Sequence, residues 1–401
     1  MLISDPLRTA ELTQGFRDTF SQEPEHFFSA PGRTEICGNH TDHQRGRVLA
    51  AAVNLDAIAA VRENGTSLLR VKSQGYDVCT VDLTELSPKK EEENTTLSLI
   101  RGVAARFQEK GCCLRGLDIY VTSQVLPGSG LSSSAAFEVL MGTILNQLFF
   151  NSTLSPVEIA QIAQYAENVY FGKPCGLMDQ MASSVGNLVE IDFFDPENPV
   201  VTPLAFDFSS TGHALCIIDS RASHADLTDE YAAIPLELKD ICAHFGKSVL
   251  TEIPEADFYA AIPVLRKSCG DRAVLRAIHF YQENQRVPQA ANALRQGDFD
   301  TFLRVLRESG HSSFMYLQNV SPAGAIRQQD MAITLALCEK YLEGTGAYRV
   351  HGGGFAGTCQ AFVPFEKLEA FQAGIDAVLG QGACHILSIR PQGGTRLEAE
   401  V

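Results

Sequence analysis

The feature that most constrains the fold is a run of small residues, Leu126-Pro-Gly-Ser-Gly-Leu-Ser-Ser-Ser-Ala-Ala136, set between a strand-like and a helix-like stretch. Before it, Leu117, Ile119 and Val121 alternate with polar neighbours, as on a half-buried strand. After it, Phe137, Leu140, Ile144 and Leu148 recur at three- and four-residue steps and define one buried face of a helix. Small residues let backbone N–H groups approach a ligand, and a helix N-terminus adds partial positive charge. The run therefore suits a polyphosphate, with serine hydroxyls able to reach a phosphate oxygen or a metal. It spells neither GxxxxGK[ST] nor GxGxxG, so it is not a Walker A loop or a dinucleotide fingerprint. Taken alone, it serves as well for a structural turn.

Around this loop, 8–20 reads as an amphipathic helix and 26–30 as a strand entering a Pro31-Gly32 turn. Two strands are read at 48–54 and 56–62, a hairpin over 68–83 turning near Gln74 and Gly75, a solvated charged loop at 89–94, and a helix over 97–108. Ser155-Pro-Val-Glu158 is a capping box with proline at the first helical position, opening a helix that runs to about Tyr170. A strand follows at 188–194. The segment 195–199 marks a boundary, dividing the chain into units 1–196 and 197–401, as a length of 401 residues suggests. The second unit alternates strands at 214–219, 348–351, 360–363 and 385–389 with long helical segments between 232 and 342. Without a regular βαβ repeat, the class is α+β.

Three further segments carry polar groups suited to chemistry. In Gly176-Leu-Met-Asp179-Gln180, Asp179 follows a Gly-Lys-Pro-Cys-Gly turn, and Glu167 stands twelve residues earlier. Asp179 can orient or deprotonate a hydroxyl while Glu167 holds Mg²⁺, or Asp179 is a helix N-cap and Glu167 a solvated helix residue. In Ala30-Pro-Gly-Arg33, followed by Gly38-Asn39-His40-Thr41-Asp42-His43-Gln44, Arg33 is a permanent cation beside donors and acceptors crowded as polyol recognition requires. His40 and His43 alone are too few for a metal site. In His351-Gly-Gly-Gly-Phe-Ala-Gly-Thr358, three successive glycines mark either close approach to a ligand or loop, or a tight turn.

A net charge of −16, from 48 acidic and 32 basic residues, repels phosphate backbones and anionic lipid, so neither nucleic acid nor membrane is an expected partner. The eleven cysteines are odd in number, scattered, and never spaced CxxC, which reads as free thiols in a reducing compartment. With no leader pattern and no apolar run near the ~20 residues of a membrane span, the expected location is cytoplasmic. Monomer and small homo-oligomer both remain open.

Together the four segments resemble the GHMP kinase superfamily, and its galactokinase branch in particular, over about 26–389. Pro127-x-x-Gly130-Leu-Ser-Ser-Ser-Ala135 resembles the family's phosphate loop, and Gly352-Gly-Gly-Phe-Ala-Gly357 its third glycine motif. The resemblance implies a two-domain GHMP kinase fold with its active site in the interdomain cleft, acting as an ATP- and Mg²⁺-dependent sugar 1-kinase. It implies Asp179 as the catalytic aspartate with Arg33 paired to it, and Ser134 and Glu167 as magnesium ligands. Nucleotide contacts fall on Gly128, Gly130, Leu131, Ser132, Ser133 and Ser134, and sugar contacts on Asn39, His40, Asp42, Gly176 and Tyr231. Two departures stand out. Galactokinases usually read Gly-Glu-His-Thr-Asp-Tyr where this chain has Gly38-Asn39-His40-Thr41-Asp42-His43, and Tyr231 is followed by Ala-Ala-Ile rather than Asn-x-Arg. Asn39 lacks the charge of the glutamate that accepts from the sugar C6 hydroxyl. With Arg45 and Arg47 nearby, and an Asp-His-Gln string similar to plant galacturonokinases, a C6 carboxylate is an alternative to galactose. A non-catalytic sugar sensor is the alternative from another class.

Overall fold

The computed structural model describes residues 6–125, 130–173, 175–222 and 227–398. Eight strands form the larger sheet: β1 (His26–Cys37), β2 (Arg47–Glu63), β3 (Leu68–Ser73), β4 (Val78–Asp82), β5 (Leu117–Ser123), β6 (Leu188–Asp192), β7 (Val200–Leu204) and, from the far end of the chain, β12 (Thr395–Leu397). A smaller sheet holds β8 (His213–Asp219), β9 (Ala347–His351), β10 (Thr358–Pro364) and β11 (Cys384–Leu387) in the order β11-β8-β10-β9. The helices are α1 (Pro6–Phe20), α2 (Thr96–Glu109), α3 (Ser133–Phe149), α4 (Pro156–Tyr165), α5 (Met178–Val185), α6 (Thr228–His244), α7 (Glu255–Ser268), α8 (Asp271–Gln296), α9 (Phe299–Ser312), α10 (Asp330–Leu342) and α11 (Leu368–Leu379).

Local chemistry accounts for several element ends. The Thr95 hydroxyl accepts from Ser98 N and starts α2, and the Ser155–Glu158 capping box starts α4 with Pro156 in place. The apolar face expected of α3 is buried: Leu140 and Ile144 are fully enclosed, with Phe137 and Leu148 packed at its margin. That core lies between the larger sheet and α2, α3 and α4. A second core joins the two sheets through α8 and α9, where Val53, Val287, Phe302 and Phe362 meet.

Four expectations are corrected. β1 does not end at Pro31-Gly32 but continues to Cys37, because the ladder with β2 shifts register between Pro31 and Arg33. A bulge accommodates a residue that cannot donate to the ladder. The two strands at 48–54 and 56–62 are one 17-residue strand, β2, paired with β6 over its first part and with β5 over its last. Within 89–94, Glu92 is buried and ion-paired to Arg101 at 2.6 Å rather than solvated. The segment 195–199 is the turn of the β6–β7 hairpin, and β7 and β12 both extend the larger sheet. The sheets therefore do not divide the chain at 196/197. The end of the chain returns to the first unit.

Candidate active site

Arg33, on β1 just past the bulge, faces Asp179 on the first turn of α5. Nε donates to Asp179 Oδ1 and Nη2 to Oδ2, both at 2.7 Å. Nη1 donates to the Gly130 carbonyl, and the Ser132 hydroxyl donates to Asp179 Oδ2 at 2.7 Å. Burial opposes the guanidinium charge, but Asp179 outweighs it and holds the Arg33 pKa above its ordinary value. Leu177, not Asp179, is the N-cap of α5, which removes the capping explanation for this aspartate. Asp179 keeps 29% of its side chain exposed while Arg33 keeps 8%. The carboxylate is thus fixed from one side and open on the other, as a group meeting a substrate hydroxyl must be.

Glu167 is turned inward by a local irregularity. After α4 the chain makes a π-helical turn over Ala166–Phe171, where the sequence suggests a plain helix to Tyr170. The Glu167 side chain is only 5% exposed, so it is not a solvated helix residue. Its Oε2 accepts from Gln180 Nε2 at 2.8 Å and from Cys175 Sγ at 3.3 Å, and Lys173 Nζ lies 3.5 Å from Oε1. Glu138, one turn beyond Ser134 on α3, is fully enclosed and accepts from Gln180 Nε2 at 3.2 Å through Oε2, while its Oε1 has no partner. Burial first, and then the charge of Glu167, push the Glu138 carboxyl well above its usual range. The enclosed Glu167 carboxylate supplies hard oxygens of the kind that fit Mg²⁺, with Glu138 and its orphaned Oε1 packed behind it. No group of three or more acidic, histidine or cysteine side chains that could cage a metal occurs among the described residues.

The sugar segment lies against the third glycine motif. His40 Nε2 is 3.0 Å from the Gly353 carbonyl, His40 Nδ1 is 3.0 Å from His43 Nε2, and His43 Nδ1 is 3.0 Å from Asp42 Oδ1. Two proton assignments satisfy all three contacts with Asp42 ionised and one imidazole neutral, the imidazolium being either His43 or His40. The energetics select His43, which then donates to both Asp42 and His40 while His40 donates to Gly353. Burial and then His43 push His40 down to about 3. Burial opposes the charge on His43, but Asp42 outweighs it and raises the pKa. Burial likewise opposes ionisation of Asp42, which His43 overcomes, bringing it to about 2. A Cβ at Gly176 would collide with the Asp42 carboxylate, so glycine there lets the two segments touch. Asp42, His43 and Gly176 border a cavity of about 460 Å³.

Asn39 takes a different place from the one expected of a sugar contact. It is fully buried, and its Nδ2 donates to Glu35 and to the Gly352 carbonyl at 2.6 Å while its Oδ1 accepts from Asn319 at 2.8 Å. Glu35 in turn is ion-paired to the buried Arg349 at 2.7 Å. Arg45 and Arg47 pair with Glu252 and Asp192. Tyr231, at the start of α6, donates to the Gly354 carbonyl at 2.8 Å and packs against Gly353, so it supports the glycine loop. On the other flank, Ser133, Ser134 and Phe137 line a cavity of about 710 Å³ with Thr95, Leu97 and Phe171. Gly130 has φ +71°, and a Cβ there would meet Thr358 and His351, so this end of the loop needs glycine. Leu131 is buried, and its carbonyl accepts from Arg33 N. Gly128, also expected at the nucleotide, lies outside the described residues, as do Leu126, Pro127 and Ser129.

The structure thus joins Arg33, Asp179, Ser132 and Gly130 directly, links Glu167 to them through Gln180, and gathers His40, Asp42 and Gly176 beside them. Glu35, Glu138 and Glu283 escaped the sequence reading. Glu283 on α8 accepts from Gly38 N, Asn39 N and Ser309 Oγ through Oε1, fixing the sugar segment from α8. The spacing of Glu138 four residues after Ser134 was the one available signal.

Comparison with known proteins places this arrangement. The GHMP kinases N terminal domain model matches residues 98–187, and the galactokinase galactose-binding signature matches 14–63. The fold is that of the GHMP kinases: the Lactococcus lactis galactokinase crystallised with galactose superposes with a TM-score of 0.81 at 24% identity, covering 97% of this chain and 100% of that one. A mevalonate kinase superposes at 0.63 and 13% identity, covering 92% and 100%. Galactokinase of Streptomyces coelicolor is 32% identical over 95% of this chain and 96% of its own length, and that of Actinobacillus pleuropneumoniae serotype 3 is 32% identical over 89% and 90%. The chain belongs to the galactokinase family.

Proposed function

We propose that the protein transfers the γ-phosphoryl group of ATP to the anomeric hydroxyl of galactose. The observation that carries this reading is the junction of Arg33, Asp179 and Ser132, where the phosphate loop and the sugar segment meet on one partly open carboxylate. Asp179 receives or orients the anomeric hydroxyl. Arg33 holds that carboxylate in place through two hydrogen bonds and offsets charge that develops on the transferred group. Ser132, Ser133 and Ser134, with Gly130 and Leu131, take the polyphosphate, and the 710 Å³ cavity beside them takes the base. Ser134 and Glu167 would hold Mg²⁺, which would supply positive charge to offset the charge of the phosphates. Asp42, His40 and Gly176 bind ring hydroxyls, with Tyr231 behind the glycine loop.

The alternative of a C6 carboxylate finds less support. The acid nearest Asn39 is Glu35, and the two arginines that recommended an anionic sugar pair with Glu252 and Asp192. A sensor without turnover is disfavoured by an intact Arg33–Asp179 pair. For cellular setting, the eleven cysteines are all unpaired thiols and no described helix is long and apolar enough to cross a membrane, so we place the enzyme in the cytoplasm. The test is ADP release measured with galactose, galacturonate, N-acetylgalactosamine, glucose and arabinose. Galactose should give the highest kcat/KM. Turnover independent of sugar, or a preference for galacturonate, would overturn this assignment.

A further inference from the structure

We propose that Glu138 is a positioning residue for the cation-holding carboxylate, acting through the side chain of Gln180. The inference rests on the reading of Glu167 as a magnesium ligand. Glu138 is fully enclosed on α3, one turn beyond Ser134. Gln180 directly follows Asp179 on α5 and is fully enclosed as well. A primary amide has two N–H groups, and here both point at carboxyl oxygens, Glu167 Oε2 at 2.8 Å and Glu138 Oε2 at 3.2 Å. One nitrogen thereby ties α3, the π-helical turn after α4, and α5. Remove the acceptor at 138 and the amide loses one of its two carboxyl anchors, which loosens the shortest hydrogen bond Glu167 makes. Packing alone does not account for a carboxyl at this position. Glu138 Oε1 and Gln180 Oε1 both lie buried without a partner, which an apolar side chain at 138 would avoid on its own account. Ligand-orienting groups of this kind govern metal affinity without touching the metal.

The experiment measures Mn²⁺ affinity by electron paramagnetic resonance in the presence of a non-hydrolysable ATP analogue. Galactose affinity by calorimetry serves as the control. Glu138→Met, which keeps the volume and removes the acceptor, should weaken Mn²⁺ binding roughly tenfold with galactose affinity unchanged. Glu138→Gln keeps a carbonyl acceptor for Gln180 and should stay within about twofold of the unaltered protein. Gln180→Met should behave like Glu138→Met, and it stands in if that variant does not fold. Unchanged Mn²⁺ affinity in Glu138→Met would make 138 a packing position only. A tenfold loss in Glu138→Gln, a variant close enough in shape to fold, would assign the effect to charge and equally overturn the proposal. Glu167→Gln separates the two levels: if it leaves Mn²⁺ affinity intact, the magnesium reading itself fails.

Discussion

Asp179 gives both carboxylate oxygens to Arg33 and one of them also to Ser132. Asp179→Asn keeps the shape and removes the charge, so kcat should fall at least ~10²-fold while galactose binding by calorimetry persists. Near-normal turnover would take Asp179 out of the reaction. At residue 39 the structure changes what a substitution means. Asn39→Glu would set a second carboxylate against buried Glu35, a like-charge contact that the Arg349 and Arg33 charges acting on Glu35 only partly balance. The single variant should lose stability by about 3 kcal/mol in denaturant unfolding, and Glu35→Gln in the same chain should restore most of it. Additive effects would show that the two side chains do not interact. Sequence made the Arg33–Asp179 pair legible because both stand in short motifs of unusual composition. It could not show that Asn39 faces Glu35 and Asn319, since that depends on a loop from 313 residues further on closing over the segment.

Among the elements, the Asp42–His43–His40–Gly353 chain ties the sugar segment to the third glycine motif. His43 has a raised folded pKa, so its contribution is complete below the ordinary histidine value and is lost as pH rises through the raised value. Asp42 has a lowered one, so its contribution holds above the ordinary carboxylate value and is lost as pH falls through about 2. The galactose KM should therefore rise as pH moves upward past the raised His43 value, and His43→Gln should flatten that dependence. A pH profile identical in the variant would remove His43 from sugar binding. At the other loop, Gly130→Val would combine a left-handed backbone with a collision at Thr358, and the ATP KM should rise at least about tenfold. Sugar affinity should change less, and the reverse pattern would exchange the two half-sites. Helix starts such as Ser155 were legible because capping is local. The π-helical turn that aims Glu167 inward was not, because its cause lies in packing.

Across the molecule, the larger and smaller sheets are stitched together by buried charge. Arg349 on β9 reaches Glu35 Oε1 and the carbonyls of Glu35 and Ile36, and Glu283 on α8 holds the amides of Gly38 and Asn39. Arg349→Met should cost about 3–5 kcal/mol by leaving Glu35 buried without its partner, read as a lower denaturant midpoint. The α+β class and the strands β8, β9, β10 and β11 were legible in the sequence, whereas β7 was not. The return of β12 to the first sheet was not, because a three-residue strand carries little pattern of its own. All of this geometry converges on one chemical claim, that phosphate passes to the anomeric oxygen under the control of Asp179. Phosphorus NMR of the product from galactose and ATP tests it most directly. Galactose 1-phosphate should form with the unaltered enzyme and should accumulate at least ~10²-fold more slowly with Asp179→Asn. Phosphate on any other oxygen, or equal rates from the two proteins, would contradict the account.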